Sequence, residues 1–198
     1  MTESGDRSQI WVVRHGETQW SQLGKHTGRQ DVPLTAEGEV AARGLADRLA
    51  GRHFDTVLTS PRTRARRTAE LAGFTEAEVV DDLVEWDYGE DEGLTTAEIR
   101  RDRPGWTVWS MGPRGGETVE EVGARADRVL ARLRVTKGTS AVFGHGHFSR
   151  VLAARWLGLP ASSGAQFKLS TGGIGVLGWE REVTAIERWN DTGSLPKP

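Results

Sequence analysis

The 198-residue chain is long enough for one ordinary domain with a sizeable core. A formal net charge of −2 gives no bulk attraction to nucleic acid or a membrane surface, and no segment approaches the roughly 18 consecutive apolar residues of a spanning helix. The absence of cysteine excludes a disulfide framework, a thiolate metal site and a cysteine nucleophile, and suits a cytoplasmic location.

Met1–Ser8 is polar, lacks the apolar run of a signal peptide and reads as a loose arm. Ile10-Trp11-Val12-Val13 follows as a short apolar strand that breaks off in Arg14-His15-Gly16-Glu17-Thr18. Ligands of open α/β sheets bind beyond the carboxyl ends of strands, so His15 is expected to be a nucleophile and Arg14 an anion holder. Gly16–Pro33 is a polar loop, longer than a simple βα turn, and loops of that kind are often functional. Thr35 caps a helix to about Ala50, with Ala42, Leu45, Ala46 and Leu49 on its apolar face. Phe54–Thr59 is a second strand. It stops at Ser60-Pro61, read as an N-cap with proline at the first helical position. The helix that follows, to about Leu71, carries Arg62, Arg64, Arg66 and Arg67.

Val79–Glu85 reads as a short edge strand leading into Trp86-Asp87-Tyr88-Gly89, and Thr95 with Glu98 forms a capping box. Arg103–Gly116, dense in proline and glycine around Trp106 and Trp109, reads as a lid or insertion. From Thr118, apolar residues at helical spacing from Val119 to Leu133 predict a long amphipathic helix. Thr139–Phe143 is a strand ending in Gly144-His145-Gly146-His147. Phe148–Leu157 is a helix closed by Gly158 and Pro160. Gly175–Trp179 and Val183–Trp189 suggest a closing pair of strands. The alternation predicts a single domain over residues 9–190, a three-layer α/β/α sandwich with a mainly parallel central sheet, with 1–8 and 191–198 as loose termini.

Parallel strands ending at Val13, Thr59 and Phe143 would bring Arg14-His15, the Ser60–Arg64 turn and His145 to one edge. Two histidines and at least two arginines there make an anion site, most simply for phosphate. Arginine forks suit phosphate oxygens, and a neutral imidazole can attack phosphorus and carry it as phosphohistidine. Neighbouring guanidinium charges favour the neutral form of His15, and Gly16 leaves room for phosphate. Glu85, approached through Leu83-Val84 and beside Trp86, is the candidate proton donor because burial favours the protonated carboxyl.

Val13-Arg14-His15-Gly16-Glu17-Thr18 resembles the signature of the histidine phosphatase superfamily, which also contains the cofactor-dependent phosphoglycerate mutases. The resemblance extends through Thr27-Gly28, Pro33-Leu34-Thr35, Ser60-Pro61-Arg62-Thr63-Arg64-Ala65 with Thr68-Ala69, Glu85-Trp86-Asp87-Tyr88-Gly89 with Glu92-Gly93, Gly115-Gly116-Glu117-Thr118 and His145-Gly146. It implies a phosphoglycerate mutase-like fold, a phosphohistidine on His15, phosphate held by Arg14, Arg64 and His145, and a proton from Glu85. It leaves Gly16, Ser21, Thr27, Gly28, Trp86, Tyr88, Gly146 and His147 as candidate substrate contacts. Ser21 stands where the mutases usually carry asparagine, and the region around the acid donor is compact and acidic (Glu90, Asp91, Glu92). That favours the phosphatase branch, with bacterial acid phosphatases and sedoheptulose-1,7-bisphosphatase-like members sharing the most features.

The rivals are a phosphoglycerate mutase and a non-catalytic phosphate-ligand binder. His145 and His147 alternate as metal ligands can, but no cysteine and no helical H-E-x-x-H completes such a site, so neither metal nor cofactor is expected. Trp86, Trp106 and Trp109 either wall a pocket or belong to the core. His26 could reach a substrate from its loop but reads rather as exposed, His53 reads as structural or exposed, and Arg62, Arg66 and Arg67 read as a solvated helix face. The acidic run would disfavour a second phosphate on the substrate, whereas Arg150 or Arg114 could meet one. The expected partner is a small phosphate ester, the expected assembly a monomer or homodimer, and the expected pH optimum acidic.

Overall fold

The computed structural model describes residues 8–136 and 138–193. In chain order these form β1 (Gln9–Arg14), α1 (Gln19–Gln22), α2 (Ala36–Leu49), β2 (Thr56–Thr59), α3 (Thr63–Leu71), β3 (Glu78–Val79), α4 (Thr96–Asp102), α5 (Val119–Val135), β4 (Thr139–Gly144), α6 (Gly146–Trp156), β5 (Ile174–Glu180) and β6 (Val183–Asp191). The strands make one sheet in the order β3-β2-β4-β1-β5-β6. β1 and β2 both pair parallel with β4, while β5 is antiparallel to β1 and to β6.

Strand alternation divides the core in two. Ile10 and Val12 of β1 pack with Leu58, Val142 and the apolar stripes of α5 and α6. Trp11 and Val13, one residue out of phase, pack with Ala141, Phe143, Leu45 and Leu49 of α2, and Ala69 of α3. Because both faces are covered, β1 is a continuous apolar run rather than an alternating one. This is the expected three-layer sandwich.

Local signals placed most helix starts. Thr35 accepts the Gly38 N–H, and Thr95/Glu98 and Thr118/Glu121 both form capping boxes. Ala42, Leu45 and Leu49 are buried, with Ala46 at the margin. Two expectations fail at the same edge. The strand expected over Val79–Glu85 is only Glu78–Val79, followed by a 3₁₀ turn at Asp81–Leu83, so Glu85 stands on irregular chain. Ser60 does not cap α3: Arg62 is the N-cap residue and makes no side-chain cap bond. The expected loose arms lie mostly outside the described residues. Within them, Ser8 is buried with its carbonyl accepting from Trp179 Nε1 at 2.9 Å, and β6 runs through Asp191.

Candidate active site

The register of the parallel strands assembles the site. Arg14 pairs with Gly144 and Thr59 with Phe143, and the His15 and Ser60 N–H groups donate to the Gly144 and Phe143 carbonyls at 3.0 Å each. Arg14-His15, Ser60 and His145 therefore leave the sheet at one edge. The His15 and His145 rings meet edge-on with centroids 5.3 Å apart.

His15 is buried, and its Nδ1 lies 2.7 Å from the Gly16 carbonyl oxygen. A carbonyl can only accept, so Nδ1 carries the proton and Nε2 holds the lone pair. Burial first, then the Arg64 and Arg14 charges, pushes the imidazole well below the ordinary histidine range and keeps it neutral. The Gly16 backbone is fixed by its N–H bond to Thr68 Oγ1 at 3.0 Å, and that hydroxyl donates back to the Arg64 carbonyl at 2.7 Å. Gly16 is expected to leave room for phosphate; the space it visibly leaves is taken by α2, since a Cβ there would fall 2.5 Å from the Gly38 carbonyl oxygen.

The cations around His15 share one property. Buried Arg64 donates Nη1 to the Gln30 carbonyl at 2.9 Å and Nη2 to that of Thr27 at 3.0 Å, but its Nε has no partner. Arg14 donates Nη1 to the Leu169 carbonyl at 2.6 Å, with its Nε likewise unpaired. Buried donors seldom stay unpaired, yet the Nε of both guanidinium groups and the Nδ1 of His145 are buried here without a hydrogen-bond partner. Arg62 Nε is also buried and unpaired, so the solvated-face reading fails for Arg62. It holds for Arg66, which is exposed, and Arg67, which pairs with Glu39 and Glu70. His145 Nε2 is 2.7 Å from Ser60 Oγ, which also accepts the Arg62 N–H at 3.3 Å.

Glu85 is buried, and its carboxyl group accepts three backbone N–H bonds: from Trp86 at 2.9 Å and Phe148 at 2.8 Å on Oε1, and from His147 at 2.9 Å on Oε2. Two of these donors belong to the first turn of α6, whose N-cap residue His145 makes no cap bond of its own. Glu85 therefore caps α6 from a position 62 residues before His147 in sequence. Sequence reasoning anticipated the burial and missed the cap.

Beside His15 opens a cavity of about 260 Å³, lined by Arg14, His15, Glu85, Tyr88, Gly146 and His147, together with Ser21, Lys25, His26, Thr27, Thr96 and Arg150. The Tyr88 hydroxyl and His147 Nδ1 are hydrogen-bonded at 2.5 Å, so His147 lies on the pocket wall while His145 turns to Ser60. Burial, reinforced by the Glu85 charge, holds the Tyr88 phenol protonated, well above its ordinary range. Gly146 is where the Arg14 guanidinium packs: a Cβ there would lie 3.1 Å from its Cζ. Ser21 lines the cavity, but its hydroxyl is spent on Thr18, accepting the N–H and donating to the carbonyl at 2.9 Å each.

Two candidate contacts are displaced. Trp86 is core: its Nε1 donates to the Glu117 carbonyl at 2.8 Å and its ring stands edge-on to Trp109, behind His147. Trp106 is buried as well. Gly28 serves close packing, because a Cβ there would lie 2.4 Å from the Trp86 carbonyl oxygen. The acidic run does not face the pocket either. Buried Asp91 pairs with Arg103, and Glu92 Oε1 accepts from Gly28 N at 2.9 Å and Gln30 N at 2.7 Å. Conversely His26, expected to be exposed, is buried in the wall, stacked on His147 with centroids 5.9 Å apart; Lys25 was not anticipated at all.

Three buried histidines and the half-buried His147 set a pH dependence. His15, His145 and His147 are pushed well below 6.5 and His26 to about 4, burial being the largest cause in each. The unfolded chain takes up protons near pH 6.5 that the folded chain refuses. Their contribution is thus complete above 6.5 and lost as pH falls through the folded values. Each costs about 1.4 kcal/mol per pH unit in that window. Urea unfolding midpoints are expected to be clearly lower at pH 5 than at pH 7.5; equal midpoints would contradict neutral burial of these rings.

A nucleophile-competent imidazole, guanidinium groups with unpaired donors and a buried carboxyl at the carboxyl edge of a parallel sheet define a phosphate-ester enzyme, a phosphatase by class. The chain belongs to the histidine phosphatase superfamily (branch 1), which it matches over residues 10–192. It is 44% identical over 194 residues to an acid phosphatase of Mycobacterium tuberculosis, covering 96% of this chain and 95% of that one. It is 36% identical to the sedoheptulose 1,7-bisphosphatase of Saccharomyces cerevisiae, covering 81% of this chain and 70% of that protein. The solved structure of a Mycobacterium tuberculosis open reading frame product superposes with a TM-score of 0.90 at 41% identity, covering 94% of this chain and 99% of that one. Among the described residues, no helix is long and apolar enough to cross a membrane.

Proposed function

We propose that residues 9–190 form a phosphomonoesterase domain that hydrolyses a small phosphorylated metabolite without metal, in two steps through a phosphohistidine on His15, in a cytoplasmic setting. One observation carries this reading: His15 Nε2 bears a lone pair beside buried arginine donors that lack partners. In the first step Nε2 attacks phosphorus and the ester P–O bond breaks. The leaving oxygen takes the proton of Glu85. Oε2, with one N–H partner against two on Oε1, has the open position for that proton. The positive charge that develops on the phosphorylated ring is met by the Gly16 carbonyl at Nδ1. In the second step the Glu85 carboxylate takes a proton from water, water oxygen bonds to phosphorus, the P–N bond breaks and phosphate leaves. Arg14, Arg64 and His145 hold the equatorial oxygens throughout. Among the described residues, no group of three or more His, Cys, Asp or Glu is placed to hold a metal ion.

The outer wall bears on the substrate. With Asp91 and Glu92 turned away, Lys25 and Arg150 are the charged side chains that line the cavity besides Arg14 and Glu85. Both favour a substrate with a second anionic group, as in the bisphosphate named for the yeast relative. A panel of sugar monophosphates and bisphosphates with 3-phosphoglycerate decides. Phosphate release is expected from the esters, with higher kcat/KM for bisphosphates than for the matching monophosphates. Interconversion of phosphoglycerate isomers without phosphate release would establish a mutase, and binding without turnover a non-catalytic receptor.

A further inference from the structure

Glu85 stands on a segment, Val84–Tyr88, that has neither helix nor strand of its own, so something outside it must fix the carboxyl group. We infer that Arg125 of α5 is the residue that does so, a positioning residue for proton transfer; this rests on the proposal that Glu85 is the donor.

All five N–H donors of the Arg125 guanidinium are engaged. Nη1 donates to the carbonyls of Asp82 at 2.9 Å and Val84 at 2.8 Å, and Nη2 to the carbonyl of Glu85 itself at 3.4 Å. The remaining edge forms a bidentate pair with Glu117: Nε to Oε1 at 2.9 Å and Nη2 to Oε2 at 2.7 Å. Glu117 extends the grip on the far side of Glu85. Its Oε2 accepts the Asp87 N–H at 2.9 Å and its carbonyl accepts Trp86 Nε1 at 2.8 Å. The chain on both sides of Glu85 is thus tied to one ion pair between buried Arg125 and half-buried Glu117. The guanidinium also lies over the Phe148 ring at 4.8 Å, and the Phe148 N–H is one of the three donors to the Glu85 carboxyl. Arg125 therefore braces the Glu85 segment and the α6 turn against each other.

Lysine cannot reproduce this. Its ammonium has three donors and no planar fork, so Arg125→Lys keeps the charge while releasing part of the brace. The reaction that suffers is proton transfer, which needs the carboxyl at the leaving oxygen; attack by His15 does not. The probes are benzyl phosphate, whose alkoxide needs the proton, and p-nitrophenyl phosphate, whose phenolate leaves without it.

For Arg125→Lys, kcat/KM on benzyl phosphate is expected to fall at least tenfold more than on p-nitrophenyl phosphate. Phosphoenzyme is expected to accumulate during turnover of p-nitrophenyl phosphate, because the water step also needs Glu85. Glu117→Gln, which keeps the backbone carbonyl but weakens the bidentate pair, serves the same test should Arg125→Lys fail to fold. Equal losses on the two substrates, or none, would overturn the inference. The parent reading is separable through Glu85→Gln. If that variant shows no leaving-group dependence, the donor assignment falls. If it does and neither Arg125→Lys nor Glu117→Gln follows, the positioning role alone falls. In a Glu85→Gln background, Arg125→Lys is expected to add no further leaving-group effect.

Discussion

His15→Ala is expected to lower kcat by roughly 10⁴- to 10⁶-fold, the scale seen when a covalent nucleophile is removed. The size follows from what the ring does. Its neutral form is enforced by burial and two guanidinium charges, its proton is parked on Nδ1 by the Gly16 carbonyl, and its lone pair is left on Nε2. No other imidazole can substitute. His145 is oriented by Ser60, and His147 is bonded to Tyr88 through Nδ1 and further up the wall. Ester binding should survive in the variant, because Arg14, Arg64 and His145 remain; equilibrium binding of the substrate beside stopped turnover checks this. Turnover within tenfold of the wild-type chain would remove His15 from the mechanism.

Glu85→Gln is the second large effect, and it is selective. General acid catalysis contributes on the order of 10²- to 10⁴-fold, and that factor should disappear from kcat/KM on benzyl phosphate. On p-nitrophenyl phosphate, whose leaving group needs no proton, the loss in kcat/KM should stay near tenfold or below. The amide preserves the shape of the side chain and two of its acceptor bonds. Its NH₂, however, faces the His147 N–H that Oε2 had accepted, so a modest loss of stability accompanies the change. The ratio between the two substrates is the readout, since misplacement of α6 alone would lower both together.

Much of this architecture is written locally. β1, β2 and β4 are short apolar runs that end in turn or site residues, and the helix starts at Thr35, Thr95 and Thr118 are capping signals of a few residues. Parallel strands ending at Val13, Thr59 and Phe143 are enough to bring Arg14-His15, the Ser60–Arg64 turn and His145 to one edge, and the register aligns those strand ends. What stayed hidden depends on partners far away in sequence. Asp91 and Glu92 look like an exposed acidic run until Arg103 and the Gly28–Gln30 backbone fold onto them. Arg62 looks like its solvated neighbours because nothing in the helix pattern shows that its Nε turns inward. His26 and Lys25 join the wall through a long loop whose path no periodicity encodes, though its length already signalled function. Gly16 reads as space for phosphate and Gly28 as a substrate contact, whereas each makes space for another stretch of backbone. The expected edge strand before Glu85 gives way to a 3₁₀ turn. The carboxyl group is set there by α6 and Arg125 instead of by the sheet.

The central claim is a covalent intermediate on His15. Mixing the chain with a ³²P-labelled ester and quenching within the first turnover should trap acid-labile, alkali-stable phosphate, at up to one per chain. Peptide mapping should place it on His15, and Glu85→Gln should raise its steady-state level by slowing attack of water. Phosphate release with a burst but no label on His15, or label on another side chain, would contradict the account.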